Sequence, residues 1–360
     1  MRVVSVVGAR PQFVKLAPVA HAMAAAGVEH VIVHTGQHYD PMLSDVFFTD
    51  LGIPAPDVHL GVGSGGHGAQ TGAMLAALDE TLPSLSADWV LVYGDTNSTL
   101  AAALAAVKLH IPVAHLEAGL RSFNRAMPEE INRVLTDHAA DLLLTPTAVG
   151  AEHLADEGLA GSTVVVGDVM TDVLLQVRDR VSGSPSPVME ELSLAEGAYS
   201  LATIHRAENT DDAERLGAVL DSLARVDHPV VILAHPRLVA KCAEHGLPLE
   251  NRGSLLVHPP LAYPDLIASA LHARGVITDS GGLQKEAFLL RVPCTTVRPQ
   301  TEWVETVELG WNRLVEPGDE LVEAASRPRP AEPREADAHP YGDGHAADRV
   351  VQELTAHLPG

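Results

Sequence analysis

Short apolar runs alternate with helical stretches along almost the whole chain, and this alternation constrains the fold more than any other feature. In the first half the runs are Val3–Val7, His30–Thr35, Val90–Tyr93, Ile111–His115, Asp141–Thr145 and Val164–Asp168. In the second half they are Tyr199–Ile204, Pro229–Ala234, Leu255–His258, Gly275–Thr278 and, as the last expected strand, Pro293–Val297. Helices are expected over Lys15–Ala26, up to Leu51 with Gly52 closing it, and over Thr71–Thr81, Ser98–Lys108, Thr147–Glu157, Asp172–Val181, Asp211–Val226, Tyr263–Leu271, Leu283–Leu290 and Ala346–His357. Strand, helix and next strand form a parallel unit. Repeated in both halves, such units predict an α/β fold of two doubly wound domains facing a cleft. A length of 360 residues suits two domains. The Ser182–Pro187 stretch, SGSPSP, reads as a linker, placing the boundary between Gly167 and Pro187. The domains expected are 1–170 and 171–342, followed by a terminal helical segment, 343–360.

The net charge of −23, from 47 acidic and 24 basic residues, argues against nucleic acid or an anionic membrane as main partner, since both require a basic face. A phosphate ligand needs only a local cluster of positive charge. The two cysteines, Cys242 and Cys294, are far apart and read as reduced core thiols of a cytosolic protein. The start of the chain lacks the longer apolar region of a signal peptide, and no apolar run is long enough to span a bilayer. No Cys/His cluster has metal spacing, so no zinc site is expected.

The stretch from Val90 to Asp137 carries the densest chemistry. Asp95 follows one expected strand, and Glu117 follows the next. In an open parallel sheet, ligands bind at the carboxyl ends of the strands, where both side chains would emerge. Arg121, Glu129, Glu130 and Arg133 follow closely. Carboxylates gathered at such an edge beside arginines suit acid–base work. The plainer alternative for Glu129 and Glu130 is electrostatic: behind Pro128 they would favour the start of a helix.

Other loops offer phosphate sites. Gly8–Phe13 joins the first strand to the first helix, where Arg10 and Lys15 could face a phosphate. It is not G-x-G-x-x-G, which disfavours a tightly bound dinucleotide, and it could be a plain turn with two solvated bases. Asp279-Ser280-Gly281-Gly282 ends a strand and opens a helix, with Ser280 as N-cap and Gly281 and Gly282 allowing an anion to approach backbone N–H groups. Glu286, about one and a half turns along, could reach a ribose diol. His205 and Arg206 follow another strand and could support a leaving diphosphate. Each has a bland alternative: a capped helix without ligand, and a loop histidine bonded to backbone. His34, His38, His115, His235 and His258 all lie near strand ends, and spacing does not rank them. The run Leu60–Gln70, LGVGSGGHGAQ, is a surface loop by composition. Ser326–Pro340, rich in proline and charge, reads as a loop or crossover and not a core element.

Taken together, GARPQFVKLAP, TGQHYD, YGDTNST, HLEAGLRSFNRAMPEEINR, VGDVMTD, IHRAEN, TDSGGLQKEA and PYGDGHAADRV resemble the non-hydrolysing UDP-N-acetylglucosamine 2-epimerases, in the same order and over nearly the whole length. The resemblance implies two Rossmann-like domains in the glycosyltransferase-B arrangement, with the terminal helix packed back on the first. It implies inversion at carbon 2 of a UDP-linked 2-acetamido sugar without NAD or metal, in a homodimer. UDP would be eliminated to leave a 2-acetamidoglucal and then added back. The carbon 2 hydrogen is barely acidic, so its loss must accompany departure of the diphosphate. That requires a carboxylate base, an acid on the opposite face and cations for the leaving group.

By resemblance, Asp95, Glu117 and Glu129 carry the acid–base role. His205, Arg206, Arg10 and Lys15 support the diphosphate. Ser280, Gly281, Gly282 and Glu286 hold UDP, with Tyr263 near the uracil; Arg133 and His235 complete the substrate-binding set. Two departures stand out. Many bacterial members have an Arg-Gln pair near Ala69-Gln70 and Arg at Tyr39, where a second, activating UDP-sugar binds; the changes weaken that expectation here. The Ser122–Met127, glycine-rich and Arg298–Val304 segments look more like members acting on modified sugars such as UDP-2,3-diacetamido uronates. A hydrolysing 2-epimerase, a metal-independent glycosyltransferase and a non-catalytic UDP-sugar binder are the competing readings.

Overall fold

The computed structural model describes residues 1–37, 53–334 and 339–358, and only the backbone of Arg10. The helix expected up to Leu51, together with His38, Tyr39 and Asp40, lies outside these residues. The chain divides into two compact units, Met1–Val173 with Pro340–Gly360, and Leu174–His339.

The first unit is a parallel sheet of β1 (Arg2–Val7), β2 (Glu29–His34), β3 (Val58–His59), β4 (Trp89–Tyr93), β5 (Val113–Leu116), β6 (Leu142–Thr145) and β7 (Thr163–Val165). Their order is β3-β2-β1-β4-β5-β6-β7. Alternate side chains of each strand leave by opposite faces. Val3 and Val7 of β1, with Trp89, Leu91 and Tyr93 of β4, pack against Phe13, Leu16 and Met23 of the Arg10–Ala25 helix and Val350 and Leu354 of the Ala346–Ala356 helix. Val4, Val6, Val90 and Val92 turn the other way, against Met74, Leu78 and Leu82 of the His67–Leu85 helix and the alanines of the Asn97–Lys108 helix. A strand buried on both faces reads as a continuous apolar run, which is why these strands stand out in the sequence. The terminal helix is fixed to this unit by Trp89 Nε1 donating to the Leu354 carbonyl at 3.0 Å, and by the Asp172 carboxylate accepting from the N–H groups of Ala346 and Ala347.

The second unit repeats the plan with β8 (Ser200–Thr203), β9 (Val230–Leu233), β10 (Leu255–His258), β11 (Gly275–Thr278), β12 (Cys294–Thr296) and β13 (Asn312–Leu314), ordered β10-β9-β8-β11-β12-β13. Each sheet reverses its winding once, between β1 and β4 and between β8 and β11. Those reversals are the points at which open α/β sheets bind ligands.

Several boundaries differ from the sequence reading. The first helix starts at Arg10, not Lys15. Pro11 is tolerated in a first turn, and the buried Gln12 side chain caps it: Oε1 accepts from Gly8 and Ala9 N–H at 2.8 and 3.0 Å. The helix expected from Thr71 starts at His67, shortening the glycine-rich loop, and Gln70 Nε2 holds the Gly63 carbonyl at 3.0 Å. Two helices absent from the expected set open on proline. Pro187 opens a short helix, Pro187–Leu192, at the edge of the linker stretch, and Pro236 opens another, Pro236–His245. Pro293–Val297 does not hold the last strand: β13 follows, too short for its period to register, with the buried Trp311 just before it. No described helix is long and apolar enough to cross a membrane.

Candidate active site

At the carboxyl edge of the first sheet, the loops after β1, β4 and β5 adjoin one another. Gln12 ties the first two, since its Nε2 donates to the Tyr93 carbonyl at 2.9 Å and to Thr99 Oγ1 at 3.1 Å. The chain leaves β4 through Gly94 in the left-handed region, at φ 61°. A side chain at Gly94 would meet Glu117 Oε2 at 3.0 Å and Lys15 Nζ at 3.3 Å, so both conformation and space call for glycine. Asp95 comes next. Glu117, one residue past β5, is itself left-handed at φ 75°. That is a costly conformation for a residue with a side chain, of a kind concentrated at functional sites.

Each of these carboxylates has a cation against it. Lys15 Nζ donates to Glu117 Oε2, and Arg133 Nη2 donates to Asp95 Oδ2. Burial disfavours the Lys15 ammonium, but the Glu117 carboxylate outweighs it and raises the lysine above its ordinary pKa. Asn132 Nδ2 holds the Asp95 carbonyl at 2.9 Å.

Glu129 and Glu130, adjacent at the start of the Pro128–Ala139 helix, have different environments. Glu129 is exposed. Glu130 is buried and accepts from Ser122 N, Ser122 Oγ and Phe123 N, each at 2.9 Å, and from Arg133 Nη1 at 3.0 Å. Burial would raise its pKa, but these donors hold it below the ordinary glutamate value. Glu130 thus shapes the Ser122–Met127 loop and braces Arg133. Phe123 stands 74% exposed on that loop.

In the second unit, the loops flanking the reversal are His205-Arg206, after β8, and Asp279-Ser280-Gly281, after β11. Asp279 joins them. Its buried carboxylate accepts from His205 N at 3.1 Å, Arg206 N at 2.9 Å and Asn209 Nδ2 at 3.1 Å. The His205 ring lies 5.0 Å from that of His235, which is exposed, and 3.7 Å separates its Nδ1 from Asp279 Oδ1. Burial, followed by His235, Arg206 and Arg237, lowers the His205 pKa despite Asp279. Ser280 caps the Gly281–Leu289 helix. Gly281 is buried, with the Glu302 carboxylate against it and Arg206 close by, while Gly282 is exposed. Tyr263 Oη donates to Glu286 Oε1 at 2.8 Å; burial raises the pKa of both.

The structure therefore groups Lys15, Asp95, Glu117 and Arg133 in one unit, and His205, Arg206, His235, Ser280 and Gly281 in the other, with Tyr263 and Glu286 paired. The Arg10 side chain lies outside the description. Gln12, Asn132, Glu130 and Asp279 organise these groups; Gln12 and Asn132 are not among the candidates legible in the sequence, while Glu130 and Asp279 enter there only as one of the gathered carboxylates and as the residue that opens the phosphate loop. Asp279 and Gln12 had one usable signal, a polar residue right beside a strand-end loop. Among the described residues, no three His, Cys, Asp or Glu side chains are grouped to hold a metal ion.

Comparison with known proteins gives the same family from several directions. The family model for UDP-N-acetylglucosamine 2-epimerase matches residues 21–355. A UDP-N-acetylglucosamine 2-epimerase homolog from Methanococcus maripaludis is 44% identical, covering 98% of this chain and 99% of its own. The UDP-2,3-diacetamido-2,3-dideoxy-D-glucuronate 2-epimerase of Pseudomonas aeruginosa is also 44% identical, with the same coverage. The solved UDP-GlcNAc 2-epimerase of Methanocaldococcus jannaschii superposes with a TM-score of 0.85 at 36% identity, covering 99% of this chain and 100% of that one. The chain belongs to the UDP-N-acetylglucosamine 2-epimerase family.

Proposed function

We propose that the protein interconverts UDP-N-acetylglucosamine and UDP-N-acetylmannosamine by eliminating UDP and adding it back. A carboxylate takes the proton from carbon 2 as the bond from carbon 1 to the diphosphate oxygen breaks. UDP leaves with that electron pair, and the 2-acetamidoglucal keeps a carbon 1–carbon 2 double bond. Return of a proton to the opposite face of carbon 2, with attack of the UDP oxygen on carbon 1, gives the epimer. The observation that carries this reading is the pair Asp95 and Glu117, on adjacent strand ends and each braced by a cation. Together with Glu129 they supply the acid–base groups that proton transfer on both faces requires. Uridine diphosphate falls to the second unit. Ser280, Gly281 and Gly282 offer a helix N-terminus to the diphosphate, Arg206 and His205 stabilise it as it leaves, and Glu286 takes the ribose diol. Arg10 and Lys15 add positive charge, and Tyr263 and His235 complete the binding set.

A second reading, a UDP-2,3-diacetamido uronate as substrate, is favoured by the 44% identity to the Pseudomonas aeruginosa enzyme, against 38% for the Methanocaldococcus jannaschii UDP-N-acetylglucosamine 2-epimerase. Incubation with each sugar nucleotide, without added metal or NAD, separates the two by product analysis. UDP-N-acetylmannosamine from UDP-N-acetylglucosamine is the expected product. Conversion of the uronate alone would favour the second reading. Free N-acetylmannosamine with UDP would indicate the hydrolysing reaction, and no conversion of either would overturn both.

A further inference from the structure

His115 lies in β5, fully buried, two residues before Glu117. Its Nε2 is 2.7 Å from the Gly94 carbonyl oxygen, and its Nδ1 is 2.6 Å from Asp137 Oδ1. A carbonyl can only accept, so Nε2 must carry a proton. The other partner is also an acceptor. Asp137 is fully buried, and its second oxygen takes Gly119 N at 3.2 Å and Arg121 Nη1 at 2.7 Å. Burial pushes the Asp137 carboxyl up, but His115 and Arg121 reverse the effect and hold it below the ordinary aspartate value. An ionised Asp137 leaves the second ring proton on Nδ1. Arg121 is itself anchored, on both oxygens of Glu157 at 2.7 and 2.8 Å.

We propose that His115, carrying both ring protons, is a positioning residue that sets Asp95 against Glu117. Gly94 is the residue just before Asp95. Its N–H bonds to the Leu116 carbonyl at 3.0 Å, and its carbonyl is the one His115 holds. One ring on the strand that leads to Glu117 therefore fixes the peptide that leads to Asp95, and Asp137 fixes the ring. Spacing alone could not single this histidine out from the others near strand ends. The role rests on the proton-transfer reading above.

The test uses two variants of the full chain. His115→Gln places a donor near the Nε2 position and keeps the Gly94 bond. His115→Asn places it near the Nδ1 position and keeps the Asp137 bond instead. The Asn variant is expected to lose about 100-fold in kcat with KM and UDP affinity nearly unchanged, the scale of a small misplacement of catalytic groups. The Gln variant is expected to lose less than about 10-fold in kcat, although its melting midpoint falls at least as far. Equal kcat losses in the two, or losses that track the melting midpoints, would overturn the proposal. Nitrogen NMR of the His115 ring in the wild-type protein is independent of turnover: two N–H signals are expected, and a single one would overturn the proposal. Failure of the wild type to epimerise any sugar nucleotide would instead overturn the functional reading, leaving the ring spectrum to decide the state of His115.

Discussion

Lys15 and Glu117 stand 102 residues apart in the chain, yet the Lys15 ammonium donates directly to Glu117 Oε2. The first helix and the end of β5 are thereby joined at the edge where Asp95 also emerges. Replacing Lys15 with Met removes a donor from a carboxylate whose side chain is 22% exposed. The expected cost is about 1–3 kcal/mol of stability and at least about 100-fold in kcat. Urea unfolding and steady-state kinetics check the two effects separately. An unchanged kcat would remove Lys15 from the working site.

Glu129 and Glu130 make a paired test, because the helix turns them into opposite environments. Glu130→Ala strands the N–H groups of Ser122 and Phe123 and leaves Arg133 with Asp95 as its one carboxylate partner among the described residues, and should cost about 3 kcal/mol. Glu129→Gln should change stability by less than about 0.5 kcal/mol while cutting turnover heavily. The stabilisation from Glu130 should also be pH dependent. Its folded pKa is depressed, so this contribution is complete above the ordinary glutamate pKa and is lost as pH falls through the lower folded value. Unfolding midpoints of wild type and Glu130→Gln should therefore converge in acid.

Glu286 should show stability and binding moving apart. Its carboxyl is shifted up by burial, so ionising it disfavours the folded state. Glu286→Gln is expected to leave the melting midpoint unchanged or slightly higher. If the carboxylate accepts from the ribose diol, UDP affinity should fall about 10- to 100-fold, the scale of a hydrogen bond to a charged group. Calorimetric titration with UDP measures one and thermal unfolding the other.

His205 should take up a proton when UDP binds. Its pKa is lowered in the free protein by burial and by the neighbouring His235, Arg206 and Arg237. A diphosphate anion favours the imidazolium and moves the pKa upward, so binding draws a proton from solvent and strengthens as pH falls toward the histidine range. Titrations in buffers of different ionisation enthalpy should reveal net proton uptake, which His205→Asn should abolish.

Much of this was legible in the sequence for a physical reason. A strand covered on both faces is a continuous apolar run, so Asp95 and Glu117 could be placed at strand ends without a structure. Strand order is not written that way, and the reversals between β1 and β4 and between β8 and β11 had to be seen. Partners distant in sequence were hidden for the same reason: Gln12 with Tyr93, Lys15 with Glu117, and Asp279 with the His205-Arg206 loop. Glu129 and Glu130 were indistinguishable as letters, because which of them is buried depends on helix phase and on the Ser122–Met127 loop. Pro187 closes the SGSPSP stretch that reads as a linker, although it begins a helix.

Proton exchange at carbon 2 is tested most directly by proton NMR in heavy water. Wild-type protein with UDP-N-acetylglucosamine, without added metal or NAD, should produce UDP-N-acetylmannosamine bearing deuterium at carbon 2. Asp95→Asn, Glu117→Gln and Glu129→Gln should each slow that exchange sharply while still binding UDP. Epimer formed with the original hydrogen retained at carbon 2 would contradict the mechanism.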